Sequence, residues 1–116
     1  MNEAEQLGVE VLGMRKKLLG AKHPDTLKSM ENLARTYSHQ GKLNEAEQLE
    51  IEVLDMRKKL LGEKHPDTLR SMENLAGTYH HQGKLNEAEQ LEVQVLELRK
   101  NLLGAEHQTL SQAREI

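Results

Sequence analysis

Residues 23–64 read HPDTLKSMENLARTYSHQGKLNEAEQLEIEVLDMRKKLLGEK, and residues 65–106 read HPDTLRSMENLAGTYHHQGKLNEAEQLEVQVLELRKNLLGAE. The hexapeptide NEAEQL sets the register, because it starts at Asn2, Asn44 and Asn86, a period of 42 residues. Regular self-similarity at that length marks a solenoid, in which each unit buries its apolar face only against its neighbours. Repetition is therefore the fold.

Each unit holds two helices with legible ends. In the first, helix A, Pro24 or Pro66 sits where a helix begins without needing a backbone N–H. Asp25 or Asp67 follows, placing a negative charge at the positive end of the helix dipole. The apolar stripe is Leu27, Met30, Leu33, Ala34 and Tyr37, repeated as Leu69, Met72, Leu75, Ala76 and Tyr79, and Gly41 and Gly83 end the helix.

The second, helix B, is expected to start at Asn44 and Asn86 as N-caps. Glu47 and Glu89 stand three residues on in a capping-box pattern, which Asn2 and Glu5 repeat at the start of the chain. Its apolar positions are Ala46, Leu49, Val53, Met56 and Leu60, with Ile51, Leu54 and Leu61 beside them. One stripe is expected to meet the unit's own helix A and the other the next unit. The basic last turn, Arg57, Lys58 and Lys59, complements the helix dipole, and Gly62 closes the helix.

Composition agrees with an all-α chain of 116 residues: 36% hydrophobic, 30% charged, 2% aromatic, with two prolines. A net charge of −3 with mixed signs provides no positive field for nucleic acid or an anionic membrane. Cys is absent, which removes disulfides, thiolate nucleophiles and Cys-type zinc sites and fits a reducing compartment. No apolar run is long enough to span a bilayer, and MNEAEQ lacks the features of a signal peptide. The expected setting is soluble and cytoplasmic.

The helix pair with Leu33, Ala34 and Tyr37 in A, a turn at Gly41 and Ala46 early in B resembles the tetratricopeptide repeat. HPDTL before A, RKKLLG closing B and the 42-residue period are similar to the kinesin-light-chain-like subclass, also found in nephrocystin-like proteins and NB-ARC-associated arrays. The chain departs from that pattern at Glu50 and Glu92, where a large apolar residue is usual in helix B, and in helix A at Met30 and Met72, which take the place of the family's aromatic or large residue. The resemblance implies a right-handed α-solenoid of about two and a half repeats. The units are a partial one over residues 1–22 (helix B), repeats over 23–64 and 65–106, and a short partial helix over 107–116 that lacks the Pro and Asp of HPDT.

No constellation for catalysis is found, and no cofactor is expected. His23, His65 and His107 read as helix-entry residues, and the adjacent His80 and His81 lack the i, i+4 spacing of helical zinc sites. The resemblance implies instead a protein or peptide ligand in a groove lined by A helices. The candidate groove residues are Lys28, Glu31, Asn32, Arg35, Ser38 and His39, then Arg70, Glu73, Asn74, Gly77, His80 and His81. Among them Asn32 and Asn74 match a position where related repeats hydrogen-bond a peptide backbone. Glu31 and Glu73, at a place often occupied by a second Asn, argue against carrying over the subclass's preference for acidic tryptophan-containing peptides. The alternative is an engineered or excised array with no evolved ligand, a homo-oligomer joined through its exposed terminal helices, whose outward stripe would include Val9, Leu12 and Leu19.

Overall fold

In the computed structural model the backbone of residues 3–115 and the side chains of residues 3–104 are described. Five helices follow one another: α1 (Glu3–Leu19), α2 (Pro24–His39), α3 (Leu43–Leu61), α4 (Pro66–Gln82) and α5 (Leu85–Glu115). Each packs mainly on its neighbours in the chain, α1 on α2 through to α4 on α5, and among the described residues there is no strand. The result is an elongated α-solenoid measuring 61 × 36 × 19 Å. Its radius of gyration is 17.0 Å, against about 13 Å for a compact chain of this length.

The A helices, α2 and α4, start as expected. His23 and His65 are N-caps in extended conformation, and their Nδ1 atoms accept from the backbone N–H of Asp25 and Asp67 at 3.1 and 3.0 Å. Both helices end in a left-handed glycine, Gly41 (φ +79°) and Gly83 (φ +80°), a conformation that costs a side-chain-bearing residue about 1 kcal/mol or more. There Gly41 N–H donates to Ser38 O and Lys42 N–H to Tyr37 O, the paired bonds that satisfy the last carbonyls of a helix; Gly83 and Lys84 repeat them.

That tight turn moves the start of helix B forward. α3 begins at Leu43 and α5 at Leu85, so Asn44 and Asn86 lie inside the first turn and are not N-caps. The Asn44 side chain instead accepts from Gln82 Nε2 at 3.1 Å, and Glu47 holds Lys84 Nζ at 2.8 Å in place of a capping box. Glu5 holds Lys42 in the same way at 2.6 Å. The expected cap at Asn2 lies outside the described residues. A second difference concerns the C-terminal segment: α5 runs through Gly104 without a left-handed break and continues to Glu115. The sequence after Gly104 lacks the Pro that opens α2 and α4, so no chain reversal is imposed, and residues 107–115 continue α5 in place of the separate short helix expected over 107–116. The His107 side chain lies outside those described.

The core is the A-helix stripe against B. Leu27, Met30 and Leu33 pack with Leu12 of α1 and Val53 of α3; Leu69, Met72 and Leu75 pack with Leu54 of α3 and Val95 of α5. α3 therefore faces both ways, with Val53, Leu49 and Met56 toward α2 and Leu54 and Ile51 toward α4. Leu60 and Leu61, expected in these stripes, are exposed beside the turn into α4. In α1 the residue matching Leu54 is Leu12, which is buried against α2, contrary to its expected place in an outward stripe. The open stripe of α1 is Leu7, Val11 and Met14, which match Leu49, Val53 and Met56.

Candidate peptide groove

A cleft of about 290 Å³ lies between the A helices. From α2 it is lined by Glu31, Arg35, Ser38 and His39, and from α4 by Glu73, Asn74, Gly77 and His81. The helical spacing of three and four puts these side chains on one face of each helix, opposite the buried stripe. The remaining expected groove residues lie elsewhere. Lys28 and Arg70 line a second, more apolar hollow of about 650 Å³ with Leu27, Leu60 and Leu61. Asn32 is exposed outside both, and His80 pairs with Glu92 of α5 at 2.9 Å. Among the described residues no three metal-ligating side chains converge.

Glu31 is held from below. Both its oxygens accept from Arg57 of α3, at 2.8 and 2.9 Å, and Asn74 Nδ2 approaches at 3.5 Å. The ion pair is nearly closed to water, with side chains 6% and 8% exposed for Arg57 and Glu31. Burial alone would raise the Glu31 pKa. The hydrogen bond and charge of Arg57, with Arg70 and Lys28 adding to them, outweigh it and hold the carboxyl below its ordinary value.

Two residues of the cleft were not among the sequence candidates. Glu50 reaches it from α3, and Thr78 from α4 donates its hydroxyl to a Glu50 carboxylate oxygen. Burial pushes the Glu50 pKa up to about 7; the Thr78 bond opposes the rise, while the negative charges of Glu31 and Glu47 add to it. The signal for Glu50 was its departure from an apolar pattern; Thr78 carried none, since the matching Thr36 merely bonds Asn32 O within its own helix. In the second repeat Glu92 is 53% exposed and Glu73 pairs with Arg99 at the surface.

A stack of Gly-turned helix pairs at a 42-residue period, buried only between neighbours, defines a helical-repeat scaffold. The chain belongs to the tetratricopeptide repeat family, whose profile matches residues 1–25, 26–67 and 68–109. Its structure is similar to that of a Podosopora anserina protein of kinesin-light-chain type with nearly identical TPR-like repeats, and to that of a single-substitution variant of the same protein. Each match has a TM-score of 0.79 and 35% identity over 84% of this chain and 46% of the solved one. The chain thus spans about half the length of those it matches. No match was found among curated protein sequences. The kinesin-light-chain-like character expected from HPDTL and RKKLLG agrees with these matches. Tetratricopeptide repeats are in general protein-interaction modules, and no helix among the described residues is long and apolar enough to cross a membrane.

Proposed function

We propose that this chain is a protein-interaction scaffold without catalysis of its own, holding an extended peptide or partner segment in the groove between α2 and α4. The observation that supports it is convergence: polar side chains from two successive A helices, separated by 42 residues in sequence, meet in one cleft while their apolar faces are buried. Asn74 in that cleft offers both a donor and an acceptor to a peptide backbone. Selection from a random peptide library, followed by titration of the recovered peptide against the double variant Asn32→Ala with Asn74→Ala, tests the reading. About 1 kcal/mol should be lost through Asn74, which lines the cleft, and little through Asn32, which lies outside it, with helicity unchanged; binding unaltered by the Asn74 change puts the site elsewhere.

A second reading is self-association through the ends. It is supported by apolar stripes on which no described residue closes: Leu7, Val11 and Met14 of α1, 61%, 39% and 59% exposed, and Val93 and Leu96 of α5, 46% and 56% exposed. Full burial of an exposed side chain of this kind is worth roughly 1.5–3 kcal/mol, and these, already about half covered, would gain roughly half of that. Sedimentation across a range of concentrations distinguishes a monomer from stacked or paired arrays.

A further inference from the structure

Three carboxylates line the cleft, and they are not equivalent. Glu31 is neutralised by Arg57 and Glu73 by Arg99, whereas among the described residues Glu50 bonds only the uncharged hydroxyl of Thr78. Glu50 also lines a narrow gap that continues inward with Glu31, Val53, Ser71 and Asn74, so its carboxyl stands at the inner side of the cleft. Above it the second repeat has Gly77 where the first has Arg35, and a Cβ added at Gly77 would meet nothing within 4 Å. Gly77 and Glu50 line the same cleft, so the cleft is unobstructed where the repeat pattern would have put a long side chain. A volume of about 290 Å³ falls at the bottom of the range for whole small-molecule sites, about 300–1,000 Å³, and suits a single extended side chain.

We propose that this cleft is a receptor for one basic side chain, lysine or arginine, of the bound peptide segment, entering over Gly77 to pair with Glu50. The proposal rests on the groove reading above and names the ligand chemistry that the groove selects. A partly desolvated carboxylate without a counter-charge gains more from an incoming cation than a solvated one does, because its attraction is less screened. Arg35 also lines the cleft, and its guanidinium suits an acidic residue next to the basic one.

Protons are linked to the same event. The cation favours the ionised form of Glu50, so binding in mildly acidic solution expels a proton, and affinity rises from about pH 6 to about pH 8. The groups around Glu50 that bear on this profile are Glu31, Arg35 and His39 on α2, Glu73 and His81 on α4, and Glu47 on its own helix, itself paired with Lys84. The control is Glu50→Gln, which removes the contribution of this carboxyl and leaves the other groups of the cleft in place.

The probe is the tightest peptide recovered from a random dodecapeptide display library, together with its analogues bearing norleucine in place of each Lys or Arg in turn. Binding is measured by calorimetry to the intact chain and to the Glu50→Gln and Gly77→Arg variants, each checked by circular dichroism. The expected result is one basic position whose replacement weakens binding about ten-fold in the natural chain and hardly at all in Glu50→Gln. Gly77→Arg should block the peptide. Recovered peptides that respond to Asn74→Ala but have no such position, or carry acidic residues in its place, overturn the basic-side-chain assignment while leaving the groove. Recovery of no peptide, or of peptides indifferent to Asn74→Ala and Gly77→Arg alike, overturns both.

Discussion

Arg57 and Glu31 lie 26 residues apart in sequence and meet through two hydrogen bonds beneath the groove, while Nη1 of the same guanidinium reaches the Ser71 hydroxyl of the next A helix at 2.7 Å. One side chain of helix B thus ties its own helix A to the following one. The repeat writes this arrangement three times and completes it once. Arg15 has the forward contacts, to Ser29 Oγ at 2.6 Å and Asp25 O at 3.1 Å, and Arg99 has the backward one, to Glu73. Only at Arg57 do both halves coincide among the described residues, and there the pair is closed to water.

Equal substitutions should therefore have unequal costs. Arg57→Met leaves the Glu31 carboxylate buried without its cation, and about 3 kcal/mol of stability should be lost. Arg99→Met removes a pair about half exposed on both sides, and the loss should be below about 1 kcal/mol. Urea denaturation of the two variants checks this; similar losses would mean that the closed pair is no stronger than a surface one. Replacing Arg57 and Glu31 together by apolar residues should restore most of the stability.

Glu50 gives stability an unusual pH dependence. Its folded pKa, about 7, lies above the ordinary 4.5, so between these values the folded chain binds more protons than the unfolded one. Stability then falls as pH rises through that window. Glu31, whose pKa is lowered, acts with the opposite sign and at lower pH: its contribution is present above 4.5 and is lost as pH falls through its folded value. Glu50→Gln should raise the melting temperature at about pH 8, by an amount corresponding to roughly 1–2 kcal/mol after allowance for partial solvation, and change little at about pH 5. Melting curves across this range should show the variant's gain growing with pH; a gain independent of pH would contradict it.

The helix pairs, their left-handed stops at Gly41 and Gly83 and the buried face from Leu27 to Tyr37 were all legible, because apolar periodicity and turn chemistry are local signals. The starts of helix B were misread at Asn44 and Asn86, since the turn closes through bonds from Lys42 and Lys84 back to Tyr37 and Tyr79 and the next helix begins at once, at Leu43 and Leu85. Arg57 read as a dipole partner, and Leu12 as an outward residue, because both depend on which neighbour each face of helix B meets. Of the groove, the A-helix faces were readable from spacing. Glu50 and Thr78 were not, as their pairing joins separate units, 28 residues apart.

Two glycines of the second A helix, one inside it and one at its end, should respond in opposite directions. Gly77 is in the helix interior with open space around it, so Gly77→Ala should stabilise the array by roughly 0.5–1 kcal/mol. Gly83, at φ +80°, should destabilise it by about 1 kcal/mol or more when replaced by Ala. Thermal unfolding of both variants checks the signs.

The exposed stripe of α1 predicts a concentration-dependent melt. If burial of Leu7, Val11 and Met14 joins copies end to end, the melting temperature of the natural chain rises with protein concentration. The triple substitution of these residues by Gln should abolish that rise. A concentration-independent melt of the natural chain would contradict self-association.

The most direct test of the central claim is where a selected peptide touches the chain, mapped by amide chemical-shift changes on titration of the labelled protein. The account predicts that the largest changes fall on Glu31, Arg35, Ser38 and His39 of α2, on Glu73, Asn74, Gly77, Thr78 and His81 of α4 and on Glu50, the groups that line the cleft. Changes concentrated instead on the outer faces of α1 or α5, with the cleft undisturbed, would contradict it.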